Sequence, residues 1–232
     1  MGAREVGRVI GLWRYPVKSM APEALDGVDV GWAGLAGDRR WAFVRGDVPR
    51  SGFPWMTIRE DAAMLDHVPR FVQPGRPDRS RVVVRVPGGE ELDVTDPALA
   101  ASLGDGVRSI KQDRGVFDAM PLSLITTAGI ADLSALVGFE LDVQRFRPNL
   151  LVESSEREDA WVGSVLSIGG MAMRVDQRDE RCVIVNVDPA THERDPVVLR
   201  TLAERRDVCI GVYGSTVRPG PVALGDPVLK EP

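Results

Sequence analysis

The punctuation of this chain limits its fold more than any other feature. It has 24 glycines and 17 prolines, and they leave only short apolar stretches between them. Glycine and proline mark turns, and short runs rich in β-branched and aromatic residues between turns read as strands. In the first half these are "VGRVIGLWRYP", "DGVDVGW", "RRWAFVR", "RVVVRVP" and "EELDVTD". In the second half they are "LDVQRF", "NLLVES", "VLSIGG", "MAMRVDQ", "CVIVNVD", "VCIGVYG", "STVRPG" and "PVALGD". So many short strands cannot build a helical bundle.

Helices are few. Asp96 and Pro97 suit the N-cap and first turn of a short helix through Leu103. "LSLITTAGIADLSALVGF" predicts a longer helix, with Leu124, Ala128, Ala131, Leu133, Leu136 and Val137 at near-helical spacing and Gly138 as its C-cap. "DPVVLRTLAERR" predicts a third, capped by Asp195, opened by Pro196 and striped by Val198, Leu199 and Leu202. The expected class is mixed, β-rich α+β: a barrel-like fold with a few covering helices. Residues 68–81 read as the most loop-like segment, and a composition shift near 95–120 is the best candidate domain boundary.

Charge and composition exclude several functions. With 29 basic against 34 acidic residues the net charge is −5, which argues against nonspecific nucleic-acid binding. No apolar run approaches the roughly 20 residues of a membrane-spanning helix. The N-terminus shows acid early and no apolar core of a signal peptide, so a cytoplasmic protein is expected. Two cysteines, Cys182 and Cys209, are too few for a disulfide scaffold, a four-cysteine zinc site or an iron–sulfur cluster held by this chain alone. Two histidines, His67 and His192, leave Ser-His-Asp and zinc-hydrolase mechanisms short of parts.

Four stretches place polar or basic groups beside turn residues. In "RYPVKSMAPE", Lys18 and Ser19 suit an anion such as phosphate, or are simply a solvated turn. In "GLAGDRRWAFV", Arg39 follows two glycines and either forks onto a phosphate or pairs with Asp38. In "RFRPNLLVES", the period of two puts Arg145 and Arg147 on one strand face. Pro148 breaks the pairing, and Asn149 offers both a donor and an acceptor. This is a ligand-binding edge or a strand edge blunted against aggregation. In "DQRDERCVIVNVDP", Cys182 lies between a charged loop and an apolar run, as a small buried hydrophobe or as a reactive thiol. Arg178 and Arg181 favour the thiolate, while Asp179 and Glu180 oppose it. Cys209, with apolar neighbours, is assigned to core packing.

Taken in order, these stretches resemble the MOSC family, in the branch that also carries an N-terminal MOSC β-barrel domain. "LWRYPVKSM", "GLAGDRRWAFV" and "MTIRED", with Thr57 and Arg59, carry the N-terminal part of the likeness. "RFRPNLLVES", the "WVG" at Trp161, "RCVIVNVDPATHERD", "VYGSTVRPG" and "ALGDPV" carry the C-terminal part. The resemblance implies a MOSC β-barrel flanked by helices over 116–232 and an N-terminal β-barrel-like domain over 1–115. It also implies a cleft holding the molybdopterin molybdenum cofactor, with Cys182 as the metal ligand and catalytic residue. Lys18, Ser19, Arg39, Arg147 and Asn149 are the implied pterin and phosphate contacts. Asp118, Thr57 and Arg59 join them, and Tyr213 lies near by analogy. The family's hydroxyl residues after the aspartate are replaced here by Ala119 and Met120.

The activity implied is reduction of N-hydroxylated compounds such as amidoximes and hydroxylamines. The substrate would leave as amidine or amine, and two electrons and two protons would release water. With two cysteines and a chain ending at "GDPVLKEP", electrons are expected from a separate iron–sulfur, flavin or cytochrome partner. Two other readings stay open. One is sulfur transfer through a persulfide on Cys182. Such domains are sometimes associated with pyridoxal phosphate, although none of Lys18, Lys111 and Lys230 stands out as a Schiff-base lysine. The other is non-catalytic binding or delivery of molybdopterin. Substrate specificity is expected in the loops 46–56 and 110–120.

Overall fold

The computed structural model describes residues 2–48 and 53–231. The chain divides into two compact units, one made of Met1–Trp13, Ala24–Ala36 and Asp118–Pro232, the other of Arg14–Glu23 and Gly37–Phe117. These units cut the chain differently from the division at 115, and strand pairing gives the reason. The first strand of the chain pairs with strands from the C-terminal half on both of its edges.

The first unit is a closed barrel of seven strands: β1 (Arg4–Arg14), β2 (Leu122–Thr126), β3 (Leu150–Glu153), β4 (Val165–Ile168), β5 (Met171–Glu180), β6 (Cys209–Arg218) and β7 (Pro227–Lys230). Around the barrel the order is β3-β2-β6-β5-β4-β7-β1, and β1 pairs back onto β3. Closure removes the unpaired edges that an open sheet would expose. Every pairing is antiparallel except β2 with β3. A parallel pair needs a crossover, and helix α2 (Thr127–Val137) lies within it.

Strand alternation makes two cores. Leu122 and Leu124 of β2 and Val212 of β6 join Val6, Leu150, Leu166, Met173 and Trp161 in one cluster. Ile125, on the opposite face of β2, and Ile210, turned away from Val212 by the β-bulge at the left-handed Gly211, pack with Leu133 of α2 and with Val198 and Leu202 of α3 (Val197–Arg205). The second unit has a two-stranded sheet, Trp41–Val44 with Arg108–Lys111, and a three-stranded sheet of Val68–Phe71, Val82–Arg85 and Glu91–Asp93. The short helix Pro97–Leu103 packs Leu99, Ala100 and Leu103 into the same core as Phe43, Phe71, Val82 and Val84.

The β-rich class, the barrel with covering helices and the Asp96 and Gly138 caps agree with expectation; at α3 the N-cap is Pro196, one residue after the expected Asp195, whose carboxylate still bonds the first turn. Asp96 accepts from Ala98 N at 2.8 Å, and Asp195 accepts from Val197 N at 2.9 Å. Gly138 closes α2 in the left-handed region, with φ of 87°.

Four local readings are corrected. The expected helix over "LSLITTAGIADLSALVGF" is a strand for its first five residues, because β2 is paired on both edges and buried on both faces. Thr126 then caps α2. "LDVQRF" is not a strand: Val143–Arg145 is a 3₁₀ turn, started by Asp142 accepting from Gln144 N at 2.7 Å. Arg145 and Arg147 therefore do not share a strand face. "CVIVNVD" is likewise a 3₁₀ turn over Val183–Asn186. Finally, the loop-like segment 68–81 opens with the strand Val68–Phe71.

Candidate functional site

In the second unit, the chain leaves β1 through Tyr15 and Pro16 and turns at Val17–Met20, where Met20 N donates to Val17 O at 3.3 Å. Ser19 holds the third position of that turn with φ of 68°, a place usually given to glycine. Lys18 beside it is only 5% exposed; its Nζ donates to Val116 O at 3.2 Å and lies 5.6 Å from the Phe53 ring.

Arg39 also has a left-handed backbone, with φ of 48°. Its N–H donates to Tyr15 O at 2.6 Å, and its carbonyl accepts from Val116 N at 2.7 Å. Its guanidinium lies 4.4 Å over the Tyr15 ring and pairs with Asp38. Asp38 is fully buried and also accepts from Tyr15 N at 2.7 Å, so the pair is not a surface one. Arg59 stacks 4.9 Å from Phe53, placing two cations on one ring. Thr57 is 1% exposed, and its hydroxyl joins Glu60 Oε2 at 2.7 Å and Arg59 N at 3.2 Å, so in this structure it shapes the turn that carries Arg59.

In the barrel unit, Arg147 follows the Val143–Arg145 turn with φ of 51° and is half-buried. Asn149 is 1% exposed. Its Oδ1 accepts from Ser123 N at 3.2 Å and Ser123 Oγ at 3.1 Å, and its Nδ2 donates to Trp13 O at 3.2 Å. The amide thus ties together β1, the start of β2 and the start of β3. Arg145 is buried and serves the fold. It pairs with Asp188 at 2.5 Å and reaches Val185 O at 3.4 Å.

Cys182 is half-buried, two residues past the end of β5, and stands at the N-cap of the Val183–Asn186 turn with no side-chain capping bond. Cysteine is not a preferred capping residue, and capping does not account for it here. The arginines expected to activate it are already engaged. Arg178 binds Asp207 at 3.0 Å and Arg206 O at 2.5 Å, and Arg181 pairs with Asp179 at 2.7 Å. Asp118 is exposed in a bend, and Tyr213 is half-buried in β6 opposite Ser123. Cys209 is not core: it is half-buried, and its Sγ donates to Asp207 O at 3.1 Å. Burial pushes its thiol up, against the pull of Arg178. Of the loop 46–56, where specificity was expected, residues 49–52 lie outside the described residues.

Reasoning from sequence missed the aromatic platforms Tyr15 and Phe53 under the cations, and no local motif marks them. It also missed a backbone signature. Among the described residues six non-glycine residues have positive φ, and three of them are Ser19, Arg39 and Arg147. Such conformations cost of order 1–3 kcal/mol each and cluster at functional sites. Among the described residues no three His, Cys, Asp or Glu side chains gather as a metal site. No described helix is long and apolar enough to cross a membrane.

Comparison with known proteins gives a consistent result. The MOSC domain family matches residues 111–229, and the MOSC N-terminal beta barrel domain family matches residues 6–113. Mitochondrial amidoxime reducing component 2 of Bos taurus is 23% identical over 98% of this chain and 84% of its own length. The Rattus norvegicus protein of the same name is 31% identical over 49% of this chain and 37% of its own length. Molybdenum cofactor sulfurase of Drosophila erecta is 26% identical over 56% of this chain and 19% of its own length. Among solved structures, the YUAD protein from Bacillus subtilis superposes with a TM-score of 0.58 at 15% identity, covering 100% of both chains, and shows a shared fold. With a seven-stranded barrel closed by its first strand and both family matches in sequence order, this chain belongs to the MOSC family and carries the MOSC N-terminal beta barrel domain ahead of its MOSC domain.

Proposed function

We propose that this protein is a molybdenum-cofactor-dependent reductase of N-hydroxylated compounds, supplied with electrons by a separate protein. The observation that carries the reading is the strained backbone at Ser19, Arg39 and Arg147, residues that the family resemblance implies as cofactor contacts. The donor set fits the cofactor. Among the described residues no carboxylate or imidazole cluster gathers as a metal site, and the soft thiol of Cys182 suits a metal whose other soft ligands come from a dithiolene. When bound, the cofactor supplies the two-electron oxygen-transfer chemistry.

The chain's own residues bind and orient. Cys182 provides the thiolate. Lys18, Arg39 and Arg59 of the second unit, and Arg147 of the barrel unit, each offer a phosphate contact that does not change charge, and the rings of Tyr15 and Phe53 lie against the first three. Ser19 adds a hydroxyl donor. In this reading Asn149 holds the backbone near Arg147, Thr57 shapes the turn that carries Arg59, and Asp118 is the exposed member of the set. The two cysteines of this sequence cannot by themselves hold an iron–sulfur cluster, so in this reading the electrons come from another redox centre.

Metal and pterin analysis of wild type beside Cys182→Ala tests the reading. Molybdenum should fall at least about tenfold in the variant, equivalent to ~1.4 kcal/mol of binding. Equal molybdenum in both removes the ligand assignment. Reduction of an amidoxime by the purified single chain with NADH alone removes the separate donor. The likeness to a molybdenum cofactor sulfurase favours a second reading, sulfur carriage on Cys182. A persulfide at that residue in molybdenum-free protein would select it.

A further inference from the structure

Arg181 stands next to Cys182, yet its side chain is only 10% exposed. Its guanidinium reaches acceptors on three separate segments of the barrel unit. Nε donates to Ile210 O at 2.8 Å, Nη1 donates to Phe146 O at 2.8 Å, and Nη2 pairs at 2.7 Å with Asp179, whose side chain is 2% exposed. Its main-chain N–H donates to Val208 O at 2.9 Å. The guanidinium carbon lies 5.5 Å from the Phe146 ring. Five planar N–H donors in a rigid fork allow this, and one ammonium point charge does not.

The room for the fork comes from β6. Gly211 has φ of 81°, and a Cβ there would fall 2.9 Å from Arg181 Nη2 and 3.2 Å from Leu124 O. Gly211 is itself held, since its N–H donates to Glu158 Oε1 at 2.7 Å, and that carboxylate is 1% exposed. The carbonyl taken by Nη1 is the one immediately before Arg147. Two residues later, Asn149 is tied to Ser123 and Trp13. The left-handed Arg147 is therefore bracketed by the Arg181 fork on one side and the Asn149 amide on the other. A strained conformation persists only where its surroundings over-determine it.

We infer that Arg181 is a positioning residue whose fork locks the backbone at Arg147 to the backbone that presents Cys182. The inference rests on the roles proposed above for Cys182 and Arg147. A cofactor that needs both residues then meets them in one fixed arrangement, and the charge of Arg181 is spent on the protein rather than on the ligand.

Hydrogen exchange of cofactor-free protein, read by mass spectrometry, tests this beside molybdenum content. In Arg181→Lys, exchange over 143–149 and 181–186 should quicken about tenfold, as expected for loss of hydrogen bonds to a charged donor. Exchange over 171–177 should not change. Arg178→Lys, whose arginine binds Asp207 and Arg206 O, should leave both segments unchanged. If Arg181→Lys does not fold, Asp179→Asn keeps the fork, weakens its anchor and should give the same pattern more weakly. Unchanged exchange overturns the inference, even if molybdenum falls. Uniform quickening across the barrel also overturns it, because that marks general destabilisation. Local quickening in a protein whose wild type binds no molybdenum upholds the lock and removes only the cofactor reading.

Discussion

The two cysteines make an instructive pair. Across the β5–β6 ladder Glu180 faces Cys209, and Cys182 lies two residues beyond the ladder's end. Both thiols are half-buried and both are flanked by arginine and aspartate. Cys209 starts a strand, gives its S–H to Asp207 O, and is pushed toward the neutral form by burial. Cys182 stands where pairing stops and a short turn begins, and the residue before it, Arg181, is held by side-chain bonds to Phe146 O, to Ile210 O of β6 and to Asp179 of β5. The side chain is the same in both cases. The difference is whether main-chain ladder pairing or a side-chain clamp decides where the backbone runs.

The sharpest way to break this contrast is at Gly211, two residues after Cys209 and directly against Arg181. Gly211→Ala adds a strained φ and a contact with the fork, and should cost about 2–3 kcal/mol in urea unfolding. A loss below about 0.5 kcal/mol, the range of ordinary surface changes, would show that the fork has room to move. Glu158→Gln comes next. This carboxylate accepts from Thr126 N at 3.1 Å, Thr126 Oγ1 at 2.5 Å and Gly211 N at 2.7 Å. Replacing it by an amide should cost ~1–2 kcal/mol by the same measurement.

Smaller effects separate the two thiols by pH. The native value of Cys209 is raised above the ordinary thiol value of about 8.5. The native state therefore holds its proton longer than the unfolded chain. The resulting stability is present below that ordinary value and is lost as pH rises through the raised one. Cys209→Ser should flatten the alkaline fall in Tm, and an unaltered fall would show that burial there is unimportant.

The smallest expected effect belongs to Asp188, in the loop after Cys182. Burial would raise its carboxyl, but the N–H groups of Thr191 and Ala190, together with Arg145, outweigh burial and hold it below the usual range. Its stabilisation is present above the ordinary aspartate value near ~3.9 and disappears as acid takes the pH down through the lowered value. Asp188→Asn should shrink the acid loss of the urea midpoint, and identical acid limbs would show that the loop is held by other contacts.

Helix caps were legible to within a residue because they depend on a few adjacent side chains. Asp96, Asp195 and Gly138 act as their chemistry predicts. Leu122–Thr126 was misread because a strand buried on both faces shows no alternation, and its apolar run merges with that of α2. "LDVQRF" and "CVIVNVD" have strand composition but fold as 3₁₀ turns. Arg145 and Val185 find their partners in each other's segment, 40 residues apart.

For the candidate site, the sequence nominates Lys18, Ser19, Arg39, Arg147 and Cys182, but it does not point to the Tyr15 and Phe53 platforms, the burial of Asp38 or the Arg181 fork. By itself the sequence determined the β-rich class, the helix caps, the family likeness and the scarcity of soft metal ligands, since these follow from composition and local order. Only the tertiary structure decided that β1 closes the barrel between β3 and β7, and that Arg181 is spent on Phe146, Ile210 and Asp179. It also decided which non-glycine residues carry left-handed backbone. Each of these depends on partners distant in the chain, whose approach is set by packing rather than by neighbouring residues.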